Sequence, residues 1–368
     1  MFSDNDKIST RQIFRLFVFD FIGQSTLVLP AKLAAVSGND GLFSILIGGG
    51  LASLYLLYLM RVLRGMDMDL LSFMRQSLPV WVEKTVTFFL IFHFIWMAGY
   101  GAYMFSDVMQ RSLIRGESYT LILALVLAVA GYAVSGGIES RARIYEVLFV
   151  VLFVLLFVMF LVAARDMDMD YLRGFFRAKP AAVAGGSLPV FFCLSPIFLF
   201  LFFPAYVKKD NWKKMGYAAA GALWFAVFVI AVLYVILVGT FGSTALSTMR
   251  YPAVTLMSSI HLKGSFLKRL DAFMIGIWFF TLFAFVSVFL FYGKELLQKP
   301  GKCDGKPAGK KAGLILWGLT FVVAELFRYG EWKGFFINYL CCVAGPLLLV
   351  LPAALLVIGK CRKNRRAV

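Results

Sequence analysis

Long apolar runs recur along this chain with short polar breaks between them. A helix needs about 20 apolar residues to cross the hydrocarbon core of a bilayer. Ten stretches of that size can be marked, at 12–36, 41–63, 85–109, 118–137, 143–164, 187–207, 215–240, 268–293, 312–330 and 334–358. The pattern holds no series of alternating segments of about 10 residues, which would mark a transmembrane barrel. The longest polar stretch, Lys294 to Lys311, is too short for a soluble domain. The expectation is an all-α integral membrane protein, one polytopic domain over residues 1–368.

Two spans carry residues that interrupt helices. The first holds Gly23-Gln24-Ser25-Thr26 and then Pro30, and the sixth holds Gly185-Gly186, Pro189, Ser195-Pro196 and Pro204. Proline removes a backbone donor and clashes with the preceding turn. In lipid the freed polar groups are tolerated only where they are buried in protein or line a wet cavity. Positions one and six correspond when two five-helix halves repeat with inverted topology, here about 10–165 and 185–358. That pattern predicts ten transmembrane helices, broken helices 1 and 6, and a binding site at the midplane. The site would lie between Gly23, Gln24, Ser25 and Thr26 on one side and Cys193, Leu194, Ser195 and Pro196 on the other. Free amides of an unwound first helix suit a carboxylate. The plain alternative is that Gly and Pro are common in membrane helices.

Composition agrees with the pattern. The chain is 61% hydrophobic and 15% charged, with mean hydropathy +0.83 and 39 Phe. Soluble domains run nearer half apolar and a quarter charged. A net charge of +17 would ordinarily raise nucleic acid as a partner. Here the basic residues fall between apolar runs, so they read as topology signals and nucleic acid is not expected. With the N-terminus inside, 24 Lys and Arg lie on the inner side and 13 on the outer. That split predicts both termini in the cytoplasm, most strongly through the tail 359–368. The basic loop 294–311 fits contact with anionic lipid. Met1 to Arg15 is too polar for a signal peptide, so the apolar run after it reads as a retained first span.

Candidate chemistry is sparse. The five cysteines, Cys193, Cys303, Cys341, Cys342 and Cys361, have no metal-ligand spacing, and neither a metal nor a cofactor is expected. No phosphate-binding glycine loop, zinc-protease motif or nucleophile elbow occurs, so an enzyme is not expected. Asp20, one turn before the expected first break, reads either as an ion, proton or ammonium site or as a structural pair with a neighbouring helix. His93, in the middle of the third span, is more often a hydrogen-bonded interface residue than a proton relay. The Asp-Met repeats at 66–69 and 166–170 read as caps of short surface helices.

Three motifs carry a family resemblance. Phe19-Asp20-Phe21-Ile22-Gly23 through Leu29-Pro30-Ala31 with Ser37-Gly38-Asn39-Asp40 resembles the first helix and loop of spore-germination permeases. Gly137-Ile138-Glu139 with Ala142-Arg143-Ile144-Tyr145-Glu146 resembles that family's motif entering helix five. Tyr251-Pro252-Ala253 with Arg269-Leu270-Asp271-Ala272-Phe273 and Trp278 resembles its loop before helix eight. Gln24 and Tyr145 depart from the family pattern, which has small residues there. The likeness is to the B subunit of endospore germinant receptors, within the amino acid–polyamine–organocation transporter superfamily. It implies a five-plus-five fold, a small nutrient germinant bound in the membrane, A and C subunits as partners, and the inner membrane of the spore as location. It also implies that the inner ends of helices one and five part when the cavity opens inward. Arg11 and Arg15 stand at one of those ends and Glu139, Arg143 and Glu146 at the other, so they are gate candidates. Their alternative is solvated topology signals. A receptor and a secondary transporter of amino acids or amines share this fold and pocket, and fold does not separate them.

Overall fold

In the computed structural model, residues 7–114, 116–259, 270–297, 307–329 and 332–367 are described. They form α1 (Thr10–Ser37), α2 (Gly41–Met66), α3 (Leu70–Ser77), α4 (Val80–Ser112), α5 (Tyr119–Ser135), α6 (Gly137–Ala163) and α7 (Met169–Leu172). There follow α8 (Pro180–Cys193), α9 (Trp212–Thr248), α10 (Pro252–Ser259), α11 (Leu270–Leu297), α12 (Pro307–Arg328), α13 (Trp332–Tyr339) and α14 (Gly345–Ala367). Among the described residues there is no strand. Helix occupies each of the ten segments read as spans. By length and hydropathy alone, six described runs suffice to cross a membrane, and Thr10–Met66 is one run holding two helices. The pair Pro180–Cys193 and Ser195–Leu201, bent by 43°, makes a seventh, and α5 is shorter at 17 residues.

The two expected interruptions part company. After Cys193 the α-helix ends, and 3-10 turns carry the chain through Ser195–Leu201 and Phe203–Tyr206. Pro196 has no N–H to continue the ladder and disfavours α geometry at Ser195. The break in the sixth span is therefore present. The first span is a correction: α1 runs unbroken through Gly23–Thr26 and past Pro30. Packing outweighs propensity there, because α1 lies buried against α6, α8, α9 and α11 along most of its length. Thr26 returns its hydroxyl to the Ile22 carbonyl at 2.8 Å, which leaves the helix intact.

Short helices and tight turns tie the ends. Asp69 caps α3 through the Ser72 amide at 2.9 Å, and Asp168 accepts the Asp170 amide at 2.9 Å at the start of α7. The Asp-Met repeats thus serve as caps. At the Ser37 end of α1, Asp40 is buried and accepts the amides of Phe176 and Ala178, each at 2.6 Å. Asn39 donates to the Tyr171 carbonyl at 2.6 Å, and Tyr234 to the Gly38 carbonyl at 2.5 Å. Phe176 is held at φ +62°, a conformation costly for a residue with a side chain. The 37–40 turn therefore clamps the segment that joins α6 to α8.

Candidate functional site

The midsection of α1 is wholly buried. Gly23 is there for helix contact: a Cβ would lie 2.7 Å from both the carbonyl carbon and the oxygen of Thr281 on α11. Its amide and those of Gln24, Ser25 and Thr26 belong to a continuous helix. The expectation of free amides at this point is corrected accordingly. The side chains give a different resource. Gln24 has neither amide atom hydrogen bonded, and the Ser25 hydroxyl has no partner among the described residues. Thr26 accepts the Trp278 indole N–H at 3.1 Å and so belongs to the α1–α11 seam. A buried amide left unpaired costs on the order of 1–3 kcal/mol, so Gln24 calls for a water or a ligand.

On the other side, Cys193 and Leu194 are buried at the end of α8, and Pro196 is buried just beyond. The Ser195 hydroxyl is enclosed without a partner. It borders a small cavity lined by Tyr55, Phe191, Phe192, Gly345 and Leu348. The register of the two helices can be read from contacts. A Cβ on Gly186 would meet Ser37 Oγ at 2.5 Å, and one on Gly185 would meet Val36 at 3.8 Å. Seven residues further, about 10 Å along an antiparallel helix, Cys193 comes level with Pro30 rather than with Gly23. The break therefore sits about one turn or more nearer the Ser37 end than the pairing of 23–26 with 193–196 supposes.

Asp20 is fully buried and ion-paired with Arg141 of α6, whose own exposure is 5%. The same guanidinium donates to the Ala284 carbonyl of α11 at 3.2 Å and stands over the Tyr145 ring at 5.3 Å. One charge pair thus pins three helices. Asp20 Oδ2, the Arg141 Nε and Nη1 edges and the Tyr292 hydroxyl have no partner among the described residues. Of the two readings of Asp20, the structure displays the helix pair. Arg141 was missing from the candidates, although a signal for it existed. Ile138, Arg141, Ala142 and Tyr145 fall at i, i+3, i+4 and i+7, one buried helix face with an arginine on it. Tyr145, where a small residue was expected, fills the space between Arg141 and the Phe19 ring, at a ring separation of 4.7 Å.

At the Thr10 end of α1, local capping aims the side chains. Ser9 and Gln12 form a capping box, with Gln12 Oε1 accepting the Ser9 amide at 2.9 Å. Gln12 Nε2 is left pointing at α6, where it donates to Glu146 at 3.0 Å. Arg11 and Arg15 reach the same carboxylate at 2.5 and 3.0 Å. Arg15 also donates to the Glu146 carbonyl at 3.1 Å and stands over Phe149. Glu139 pairs with Arg143 along α6. The structure therefore joins Arg11, Arg15 and Glu146, and missed Gln12 belongs with them. His93 is elsewhere: its Nδ1 meets the Tyr339 hydroxyl at 3.1 Å, tying α4 to α13. Among the described residues no group of His, Cys, Asp and Glu could hold a metal ion. Cys303 and residues 298–306 of the basic loop lie outside the described residues.

Comparison with known proteins follows the same outline. The sequence profile of the family described as "Spore germination protein" matches residues 7–298. The chain belongs to that family. It is 21% identical over 328 residues to spore germination protein A2 of Bacillus subtilis (strain 168), covering 89% of this chain and 87% of that protein. It is 24% identical over 358 residues to spore germination protein GerLB of Bacillus cereus, covering 94% of each. Among solved structures, it is similar to a Na+-coupled sialic acid symporter in a substrate-bound outward-open state, with TM-score 0.67 and 11% identity. That match covers 94% of this chain and 79% of the symporter. The likeness establishes a transporter fold for a germination-family, multi-pass membrane protein.

Proposed function

We propose that this chain is the membrane-embedded B-type subunit of a spore germinant receptor. It binds a small nutrient, an amino acid by preference, and passes the binding on as a change of shape. The supporting observation is that the Gln24, Ser25 and Ser195 side chains are enclosed with no partner among the described residues, Ser195 where α8 ceases to be α-helical and the other two about one turn or more away along α1. Polar groups without partners beside a broken helix are what a midplane site offers a ligand. The ligand site is drawn from side chains on α1 and from the break on α8, since α1 has no free amides to give. The Arg11, Arg15, Gln12 and Glu146 cluster fits a closed inner gate, holding the Thr10 end of α1 to α6. In this reading both termini face the cytoplasm of the spore inner membrane, A and C subunits complete the receptor, and anionic lipid contacts the basic loop 294–311. A second reading, secondary transport of amino acids or amines, is favoured by the fold shared with a symporter.

The test is a strain lacking this gene, complemented with the wild type, Gln24→Ala or Ser195→Ala and given a nutrient panel. The expected result is a rise of about tenfold or more in the nutrient concentration needed for half-maximal germination, at unchanged membrane abundance. That factor corresponds to one lost buried hydrogen bond to ligand, about 1.4 kcal/mol. Unaltered dose–response curves in both variants would overturn the site. Uptake of a labelled amino acid by proteoliposomes holding the chain alone would instead support transport.

A further inference from the structure

Lysine 32 stands inside the first span, and nothing assigned so far uses it. The second half of α1 is buried except for one stripe, where Val28, Lys32 and Ala35 recur at i, i+4 and i+7. Lys32 is half-buried on that stripe, and among the described residues no carboxylate pairs with it. The acid nearest in sequence, Asp40, is occupied by the Phe176 and Ala178 amides. By the register set at Ser37 and Gly186, Lys32 lies one turn or less from the level of the α8 break, on the Ser37 side of it.

Three elements converge at this point. The end of α8 supplies Phe192 and Cys193. Across from it the chain passes through one π-helical turn, Leu340–Ala344, of the kind that often marks functional positions. Gly345, the residue after that turn, packs directly on the Phe192 ring, so the turn is held against the break. Val36, one turn along the same face of α1 from Lys32, lies over Gly185 of α8, so the stripe that carries Lys32 follows α8 toward its end. A cation with no carboxylate partner among the described residues thus lies near the level of two departures from α-helix, and at the first of them the Ser195 hydroxyl also has no partner among the described residues. An ammonium within a membrane span favours an anionic partner.

We propose that Lys32 is the counter-charge for a carboxylate on the ligand, received from the Ser37 side between α1, the α8 break and the π turn. This rests on the reading of the chain as the receptor for a small nutrient, and it narrows that nutrient to one bearing a carboxylate. The bland alternative for a lysine five residues from a helix end is that it snorkels to the membrane surface.

The experiment uses the full chain in lipid nanodiscs and reads ligand-induced thermal stabilisation. The probes are the common amino acids, followed by the carboxamide of whichever stabilises most. The wild type is expected to prefer the acid over its carboxamide by about tenfold or more, the worth of one charge-assisted contact. Lys32→Met should bind the two alike, and Lys32→Arg should keep the preference. Lys32→Cys should lack the preference until aminoethyl methanethiosulfonate restores an ammonium at that position, and a neutral methyl reagent should restore nothing. The unsubstituted protein treated with each reagent is the control. The labelled and unlabelled Lys32→Cys chains decide the matter even where Lys32→Met folds poorly. A preference that survives in Lys32→Met, or in unlabelled Lys32→Cys, overturns the proposal and leaves Lys32 as a snorkelling residue. If no amino acid stabilises the wild type, the nutrient reading itself fails, and the carboxylate site with it.

Discussion

The middle of α1 and the end of α8 carry similar warnings in sequence and come to opposite ends in structure. Both hold glycine and proline within an apolar run, yet α1 stays helical past Pro30 while α8 stops before Pro196. Proline density separates them, since Pro180, Pro189, Pro196 and Pro204 crowd the second region whereas Pro30 stands alone in the first. Surroundings separate them further. α1 is held by backbone contact at Gly23 and by the Asp20–Arg141 pair. A single proline removes one hydrogen bond, and a helix packed on several sides can bear that cost, which isolated propensity does not foresee.

If the Asp20–Arg141 pair is what keeps α1 straight, Arg141→Leu is the most damaging way to break the contrast. It strands a buried carboxylate and should cost about 3–5 kcal/mol, read as thermal unfolding in detergent or as lost membrane abundance. Adding Asp20→Leu should recover much of the loss, and failure to recover would mean that the pair matters for more than charge balance. Gly23→Ala comes next. Its Cβ must push the Thr281 backbone away, at a cost of about 1–3 kcal/mol by the same assay. The matching change at the other region, Pro196→Ala, should sharpen the comparison by doing the reverse. It is expected to move stability by less than ~1 kcal/mol while weakening the germination response, because α8 can then extend across its break. A Pro196→Ala chain with a wild-type response would remove the break from the mechanism. Smaller again is Glu146→Gln at the Thr10 end of α1. Partly exposed ion pairs are worth under ~1 kcal/mol, so the expected sign is a response at lower nutrient concentration rather than a loss of protein. A double-mutant cycle with Arg15→Gln should show coupling, and strict additivity would dissolve the gate.

Much of the architecture was legible because membrane spans are written in composition. Ten apolar stretches became helix, and the proline cluster before Phe203 marked a real break. Less of the site was legible, for reasons visible at single residues. Gly23 looks like a flexible hinge in sequence, but its meaning is set by Thr281, some 250 residues away. Asp20 left an ion site and a helix pair equally open because its partner was not recognised, though Arg141 lay on an otherwise apolar face. Glu146 found Arg11 and Arg15 across the helix interface, while Gln12 entered through a capping box that a scan for charges passes over.

The clamp at residues 37–40 has a consequence for how the chain is made. Asp40 waits for the amides of Phe176 and Ala178, which follow it by 136 and 138 residues. At ~5–20 residues per second of synthesis, α1 and α2 spend on the order of 10 s in the membrane before those amides exist. During that interval a carboxylate destined for burial faces water at the bilayer edge, and the corner between the first two helices has no fixed angle. The corner between the first two helices is therefore finished only by the segment that leads into the second half.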